Sequence, residues 1–427
     1  MFGVIKKAYL LATPEERKVV LGNVLSLSTL QGVNYVLPLV VMPYLIRVIG
    51  LEKFGLLAFA QAFVQYFLIL TDYGFNYSAT REISLHRENQ NKVSLIFSAV
   101  TAAKLLLLLI CIILLGLILN FIPRFKNDWQ VFVFSFGVVV ANTVFPVWFY
   151  QGMEKMRYIS VLNIIGGIVY ALGIFLSVKS PADYLYVPLL QSLIFLAVGI
   201  AGFSLAFVKF KVKFTFRILG GMLRELRAGW QIFVSIVAIN AYTNTRIFAV
   251  GLLTNNILTG YYSIAEKIAY VIQTFPLASF SQAIYPRLSK IFLKSRGRAL
   301  KLMHKIQNST VYIALIALPV IFILAPWIVK IICGAKYQPA ISALRLLLVA
   351  VLFINANAFR VQFLLVAGRM DLYSRIHVII AAAGLPLIFV LVYYLSYLGA
   401  AFSTIFTELG ILLLTLNTLE ALSLNEK

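Results

Sequence analysis

The sequence predicts an all-α polytopic membrane protein, with about 12 transmembrane helices in two six-helix lobes around a central cavity. Three observations carry this. Hydrophobic residues make up 61% of the chain and charged residues 12%, with a mean hydropathy of +0.93, a balance foreign to soluble domains of this size. The apolar residues come in runs of roughly twenty or more, the length a helix needs to cross about 30 Å of hydrocarbon, and not in the ten-residue alternating strips of a barrel. The basic residues collect in every second connection, as the positive-inside rule requires.

The expected spans are 22–46, 54–75, 93–120, 129–150, 158–178, 184–208, 228–252, 260–284, 306–331, 340–367, 374–395 and 397–420. Thr13-Pro14-Glu15-Glu16 opens the first helix, with Thr13 as N-cap, Pro14 at the first helical position and Glu16 closing a capping box. No secretory signal is visible, because charged residues crowd positions 6–18 and no small-residue cleavage site follows an apolar core. With both termini on the cytoplasmic side, the inner connections hold 25 Lys and Arg and the outer ones 7. That asymmetry accounts for most of the net charge of +22 without nucleic acid.

The first two spans carry more than an anchor needs: Gln31, Asn34, Pro38 and Pro43 in one, Gln61, Gln65 and Asp72 in the other. Such groups either line a polar path or join helices to one another. Cys111 and Cys333 lie in or beside apolar runs and read as small buried hydrophobes. The basic stretch 209–227 falls mid-chain. It reads as a cytoplasmic linker held to anionic lipid, with an alternating extended start and a flexible joint at Gly220-Gly221. It divides the chain into lobes 1–208 and 228–427.

The lobes show a parallel internal repeat. Gly55 to Gln61 aligns with Gly260 to Glu266, Asn34 and Asn240 precede these glycines at similar distances, and the span-four exit at Gln151-Gly152 resembles the span-ten exit at Ala367-Gly368. Six spans per half keep the two halves in the same orientation, so the pseudo-two-fold axis lies along the membrane normal.

Apart from Lys330, Arg375 and Glu420 at span ends, eight charges fall inside spans. The cations are Lys104, Arg246, Lys267, Arg345 and Arg360; the acids are Asp72, Glu266 and Glu408. Each costs about 2.5–3.5 kcal/mol at a helix centre on insertion scales, so each calls for a partner or a cavity. Five cations cannot all pair with three acids. The surplus points to an anionic ligand, and a guanidinium suits phosphate because its planar fork donates two parallel hydrogen bonds. Arg246 follows Asn240, Asn244 and Thr245, and Arg360 follows Asn355 and Asn357, so each sits in a polar patch of an otherwise apolar helix. These two are the expected phosphate ligands, with Lys104, Lys267 and the boundary residue Arg81 as helpers. Arg345, near an outer end, reads as snorkelling. Asn34, Gln61 and Asn240 are expected to line the cavity. Glu408, Glu266 and Asp72 are candidates to bind a proton or Na⁺.

The dispersed His86, His304 and His377 have no metal-ligand spacing. There is no GxxxxGK[ST] nucleotide loop and no GxSxG elbow. The expectation is a non-enzyme without cofactor.

Several stretches carry a family resemblance: NYVLPLVVMPYLIRVIG, FGLLAFAQ and DYGFNYSATREIS near the start, FPVWFYQGMEKMRYIS at 145–160, and YYSIAEKIAYVIQTFPLASFSQAIYPRLS at 261–289. In order and spacing the chain resembles bacterial polysaccharide flippases of the multidrug/oligosaccharidyl-lipid/polysaccharide exporter superfamily, most closely the O-antigen transporters. The resemblance implies an inner-membrane protein that moves a polyprenyl-pyrophosphate-linked oligosaccharide to the outer leaflet by alternating access. Polysaccharide polymerases and other assembly proteins are then its expected partners beside membrane lipids. A small-drug exporter of the same superfamily is the alternative, disfavoured by surplus positive charge. A membrane glycan polymerase ranks last, because the longest outer connection spans only about nine residues and such an enzyme needs a large outer loop.

Overall fold

The computed structural model describes the backbone of residues 14–215, 218–334 and 337–424. Side chains are described throughout except at 14–29, 34, 35, 218, 219, 275–287, 289, 290 and 418–424. The Thr13 cap and the side chain of Asn34 lie outside the described residues.

The regular structure among the described residues is helical. In chain order the helices are α1 (Pro14–Asp72), α2 (Phe75–His86), α3 (Gln90–Phe121), α4 (Pro123–Lys126), α5 (Trp129–Val144), α6 (Val147–Gly152), α7 (Met156–Ser177), α8 (Tyr186–Val208), α9 (Ile218–Thr243), α10 (Thr245–Leu253), α11 (Asn256–Lys294), α12 (Arg296–Cys333), α13 (Gln338–Val366) and α14 (Met370–Leu424). Eight helices among the described residues are long and apolar enough to cross a membrane, nine if the bent pair Gly220–Thr243 and Thr245–Leu253 is one span. Leu109, Ile113 and Leu117 on α3, and Ile316, Ile323 and Trp327 on α12, stand exposed. A helix apolar even on its open face suits hydrocarbon surroundings.

Two long helices are each interrupted at one residue, where the sequence predicts a turn between spans. In α1 the interruption is Gly50, at φ 77°, a left-handed conformation that glycine adopts without steric cost. In α14 it is Ser396, at φ 57° and ψ −141°. Gly384 faces Thr407, Gly410 faces Ile380, and Gly399 lies against the Leu391 carbonyl. One number falls as the other rises, so the halves of α14 run antiparallel about Ser396.

The chain falls into two compact units, Leu21–Val237 and one containing Ala238–Lys427. Within the first, Gly137 meets Ser192 and Gly199 meets Ala141, so α5 and α8 run parallel; Gly166 meets Val198 and Gly173 meets Leu190, so α7 and α8 run antiparallel. Its core is aromatic. Phe97 packs against Trp148, Phe149, Phe203 and Phe207, and Phe63 against Phe67, Phe125 and Phe132. Pro146 lacks an N–H and breaks the helix between α5 and α6, and the following Trp148, Phe149 and Tyr150 are buried. The 145–160 stretch that carries family resemblance is thus largely packing.

The 209–227 stretch is not a free linker. After a left-handed residue at Lys211, φ 52°, residues 212–215 run along α3 without regular secondary structure. Gln90 Nε2 donates to the Phe210 carbonyl at 2.7 Å, and the backbone N–H groups of Lys213 and Thr215 donate to Ser94 Oγ and Ser98 Oγ, each at 3.0 Å. Gln90, Ser94 and Ser98 are four apart, hence on one helix face. Val212 is buried between the exposed Lys211 and Lys213. Gly220 and Gly221 form no joint: both sit inside α9, where a Cβ on Gly221 would stand 3.0 Å from the Ala99 Cβ. Gly221 permits the close approach, whereas a Cβ on Gly220 would meet nothing within 4 Å.

Candidate functional site

In the second unit the polar groups gather where α9, α10, α11, α13 and α14 pack. The chain bends by 51° between α9 and α10, and the local sequence Asn240-Ala-Tyr-Thr-Asn-Thr-Arg explains why. Thr243 Oγ1 returns to the Ile239 carbonyl at 2.9 Å, a bond that bends helices. Asn244 Nδ2 donates to Asn240 Oδ1 at 2.5 Å. The first residues past the bend, Thr245 and Arg246, are buried.

Arg246 Nη2 donates to Thr407 Oγ1 at 3.3 Å. The guanidinium also interacts electrostatically with both Glu266 and Glu408. Each carboxylate has a further partner: Tyr262 Oη donates to Glu266 Oε1 at 3.3 Å, and Asn357 Nδ2 donates to Glu408 Oε2 at 3.0 Å and to the Glu408 carbonyl at 2.8 Å. So Arg246, Glu266 and Glu408, selected singly from the sequence, belong to one cluster. Lys267 neighbours it and interacts with Glu266.

Arg360 sits one helical turn beyond Ala356 on α13, half-buried, and its Nη1 donates to the Ala356 carbonyl. Both arginines keep an unused donor: Arg246 Nε and Arg360 Nε are buried without a hydrogen-bond partner among the described residues, as is Asn357 Oδ1. A buried polar atom without a partner costs about 1–3 kcal/mol, so these three mark where the interior is polar beyond its own needs.

The first unit holds a separate, closed cluster. Lys104, 2% exposed, donates to Asp72 Oδ1 at 3.2 Å and to the Asn142 carbonyl at 3.0 Å. Asn142 Nδ2 donates to the same Asp72 oxygen at 2.8 Å. Two of the candidates are therefore each other's counter-ions. Arg81, on α2, is exposed and lies 3.7 Å from Glu82. Gln61 is exposed and Asn240 half-buried. Arg345 lies over the Phe322 ring at 4.9 Å, with Nε donating to the Phe322 carbonyl at 3.3 Å.

Sequence reasoning passed over Tyr242 and treated His377 only as a stray histidine. Tyr242 Oη lies 2.8 Å from His377 Nδ1, and their rings stack at an interplanar angle of 7°. A separation of 135 residues leaves no local signal. Gln307 was missed for the same reason; it is fully buried and binds the backbone of α13 between Asn355 and Phe359.

The model of the family described as "Polysaccharide biosynthesis protein" matches residues 20–292. The chain belongs to that family. It is 30% identical over 391 residues to the protein named "Putative O-antigen transporter" from Escherichia coli (strain K12), covering 90% of this chain and 93% of that one. A protein of the same name from Shigella dysenteriae is 28% identical, covering 93% and 99%. Among solved structures, lipid II flippase MurJ in an inward closed conformation matches with a TM-score of 0.71 at 14% identity, over 92% of this chain and 87% of that one. An inward-facing multidrug resistance MATE family transporter of the MOP superfamily matches with a TM-score of 0.67 at 14% identity, over 91% and 95%. At such identity these two show the fold. It is the multi-span fold of transporters, and the named relatives of this polysaccharide biosynthesis protein are transporters, not enzymes.

Proposed function

We propose that this chain moves a polyprenyl-pyrophosphate-linked oligosaccharide from the cytoplasmic to the outer leaflet of the bacterial inner membrane, by alternating access and with both termini in the cytoplasm. Family membership supports the substrate class. The observation that carries the site is the pair of buried Nε–H donors on Arg246 and Arg360, neither with a partner among the described residues. A guanidinium with an unused edge inside an apolar helix can take a phosphate oxygen without first losing a protein partner at that edge.

The candidates do not contribute equally. Arg360 is the principal pyrophosphate ligand, since its hydrogen bond among the described residues goes to its own helix. Arg246 faces two carboxylates, so it serves the phosphate by exchange, and Glu408 and Glu266 take up protons or Na⁺ as the guanidinium turns to the substrate. Lys267 assists beside them. Lys104 and Asp72 act as a pair, and Arg81 meets the lipid phosphate at the inner boundary. Asn34, Gln61 and Asn240 contact sugar.

The test is surface polysaccharide assembly in cells carrying Arg360→Ala, Arg246→Ala or Arg360→Lys at matched protein levels. Both alanine variants should lose at least about tenfold, the size of one lost charge-assisted hydrogen bond. Arg360→Lys keeps the charge without the fork and should lie between. Wild-type assembly in both alanine variants would end the phosphate assignment.

A further inference from the structure

The stacked pair His377–Tyr242 leads toward the carboxylates from one end of the second unit. His377 is 8% exposed and Tyr242 3%. His377 lies seven residues into α14, about 10 Å from its start, where the exposed Arg369–Asp371 pair sits. Tyr242 lies four residues before Arg246, just before the 51° bend, and interacts electrostatically with Glu408 and Arg246. Gly384 keeps the elements close: a Cβ there would stand 2.9 Å from Thr407 Cγ2 and 3.6 Å from Tyr242 Cβ. The order from the helix end inward is therefore His377, Tyr242, then Arg246 and Glu408.

We infer that His377 and Tyr242 form a proton path between the inner aqueous side and Glu408. His377 takes a proton at Nε2 and passes its Nδ1 proton to the Tyr242 oxygen, and the phenol proton goes on to the Glu408 carboxylate. Imidazole and phenol end neutral, the imidazole now carrying its proton at Nε2 and the carboxylate having gained one; return of the imidazole to its Nδ1–H form resets the path. The titratable and charged groups around the path are Tyr373 on the same helix, in edge contact with His377 at 4.4 Å, Arg246 on α10, Tyr262 and Glu266 on α11, and Asn357 as the polar partner on α13. The path deepens the transport reading above by naming how a proton reaches Glu408, yet its test needs no transported lipid.

The experiment uses the purified full-length protein in lipid nanodiscs with ¹³C at histidine Cε1. The chain has three histidines, so His377→Asn assigns the signal. The His377 signal should titrate, and its midpoint should move by about one unit in Glu408→Gln, the size at which two sites titrate as a pair. Tyr242→Phe keeps the stacked ring and should sever that dependence. Unaltered His86 and His304 signals report that each variant is folded. A His377 signal that does not titrate, or titrates alike in wild type, Glu408→Gln and Tyr242→Phe, overturns the path. Flipping of a fluorescent polyprenyl-pyrophosphate by vesicles is measured separately; its absence would end the transport reading and leave the titration result standing.

Discussion

Gln307 reaches from α12 into the backbone of α13, donating to the Asn355 carbonyl at 2.5 Å and accepting from the Phe359 N–H at 3.1 Å. Residues 355 and 359 are the pair that an uninterrupted helix joins to each other. A side chain inserted there is one of the few causes of local helix deformation. It falls between Asn357, which holds Glu408, and Arg360, so the glutamine fixes the backbone from which both polar side chains project. Gln307→Leu keeps the volume and removes both bonds. Thermal unfolding in detergent should show a loss of about 1–3 kcal/mol, and polysaccharide assembly should fall with it. Stability equal to wild type would show that α13 closes its own ladder without help.

The Lys104–Asp72 pair gives an asymmetric expectation. The Lys104 side chain is 3% exposed and that of Asp72 33%. Asp72→Asn therefore strands a buried cation, at a cost of about 3–5 kcal/mol for a broken buried pair. Lys104→Met leaves an anion that is partly solvated and still bonded by Asn142, and should cost less. The double variant should recover much of the loss. A double-mutant cycle on thermal stability checks the order; equal losses with no recovery would mean the two charges do not depend on each other.

Much of this was legible in the sequence, for identifiable reasons. Hydropathy, spacing and basic residues gave the fold class, because lipid forces backbone bonds to be satisfied within each helix. The polar patches before Arg246 and Arg360 stood out against apolar helices; the first falls at the 51° bend and the second where Gln307 bonds the backbone. What stayed hidden is pairing between spans. Nothing near Lys104 names Asp72 or Asn142, and nothing near Tyr242 names His377. In 209–227 the alternating start was visible but its partners were not, because the α3 serines that hold it lie more than a hundred positions away.

That strip is testable by proteolysis. Lys211 and Lys213 are exposed and offer trypsin sites if the backbone can leave α3. Each serine-to-backbone bond contributes about 0.5–1.5 kcal/mol. Ser94→Ala with Ser98→Ala should therefore raise cleavage between 211 and 214 roughly fivefold or more when opening is fast relative to cleavage. An unchanged rate would show that burial of Val212 alone retains the strip.

The glycines of the α14 hairpin make the sharpest contrast. A Cβ on Gly399 would collide with the backbone at Leu391, whereas one on Gly116 of α3 would meet nothing within 4 Å. Gly399→Ala must move backbone against backbone, and no side-chain rotation relieves it. Gly116→Ala only trades the entropy of a helical glycine for alanine and should be neutral or stabilise by up to about 1 kcal/mol. Gly384→Ala falls between, because the Thr407 methyl 2.9 Å away can give way at the price of the Arg246–Thr407 bond. Expression and thermal stability of the three variants should therefore rank Gly116→Ala above Gly384→Ala above Gly399→Ala. If Gly399→Ala matches wild type, the halves of α14 do not meet as closely as the geometry requires.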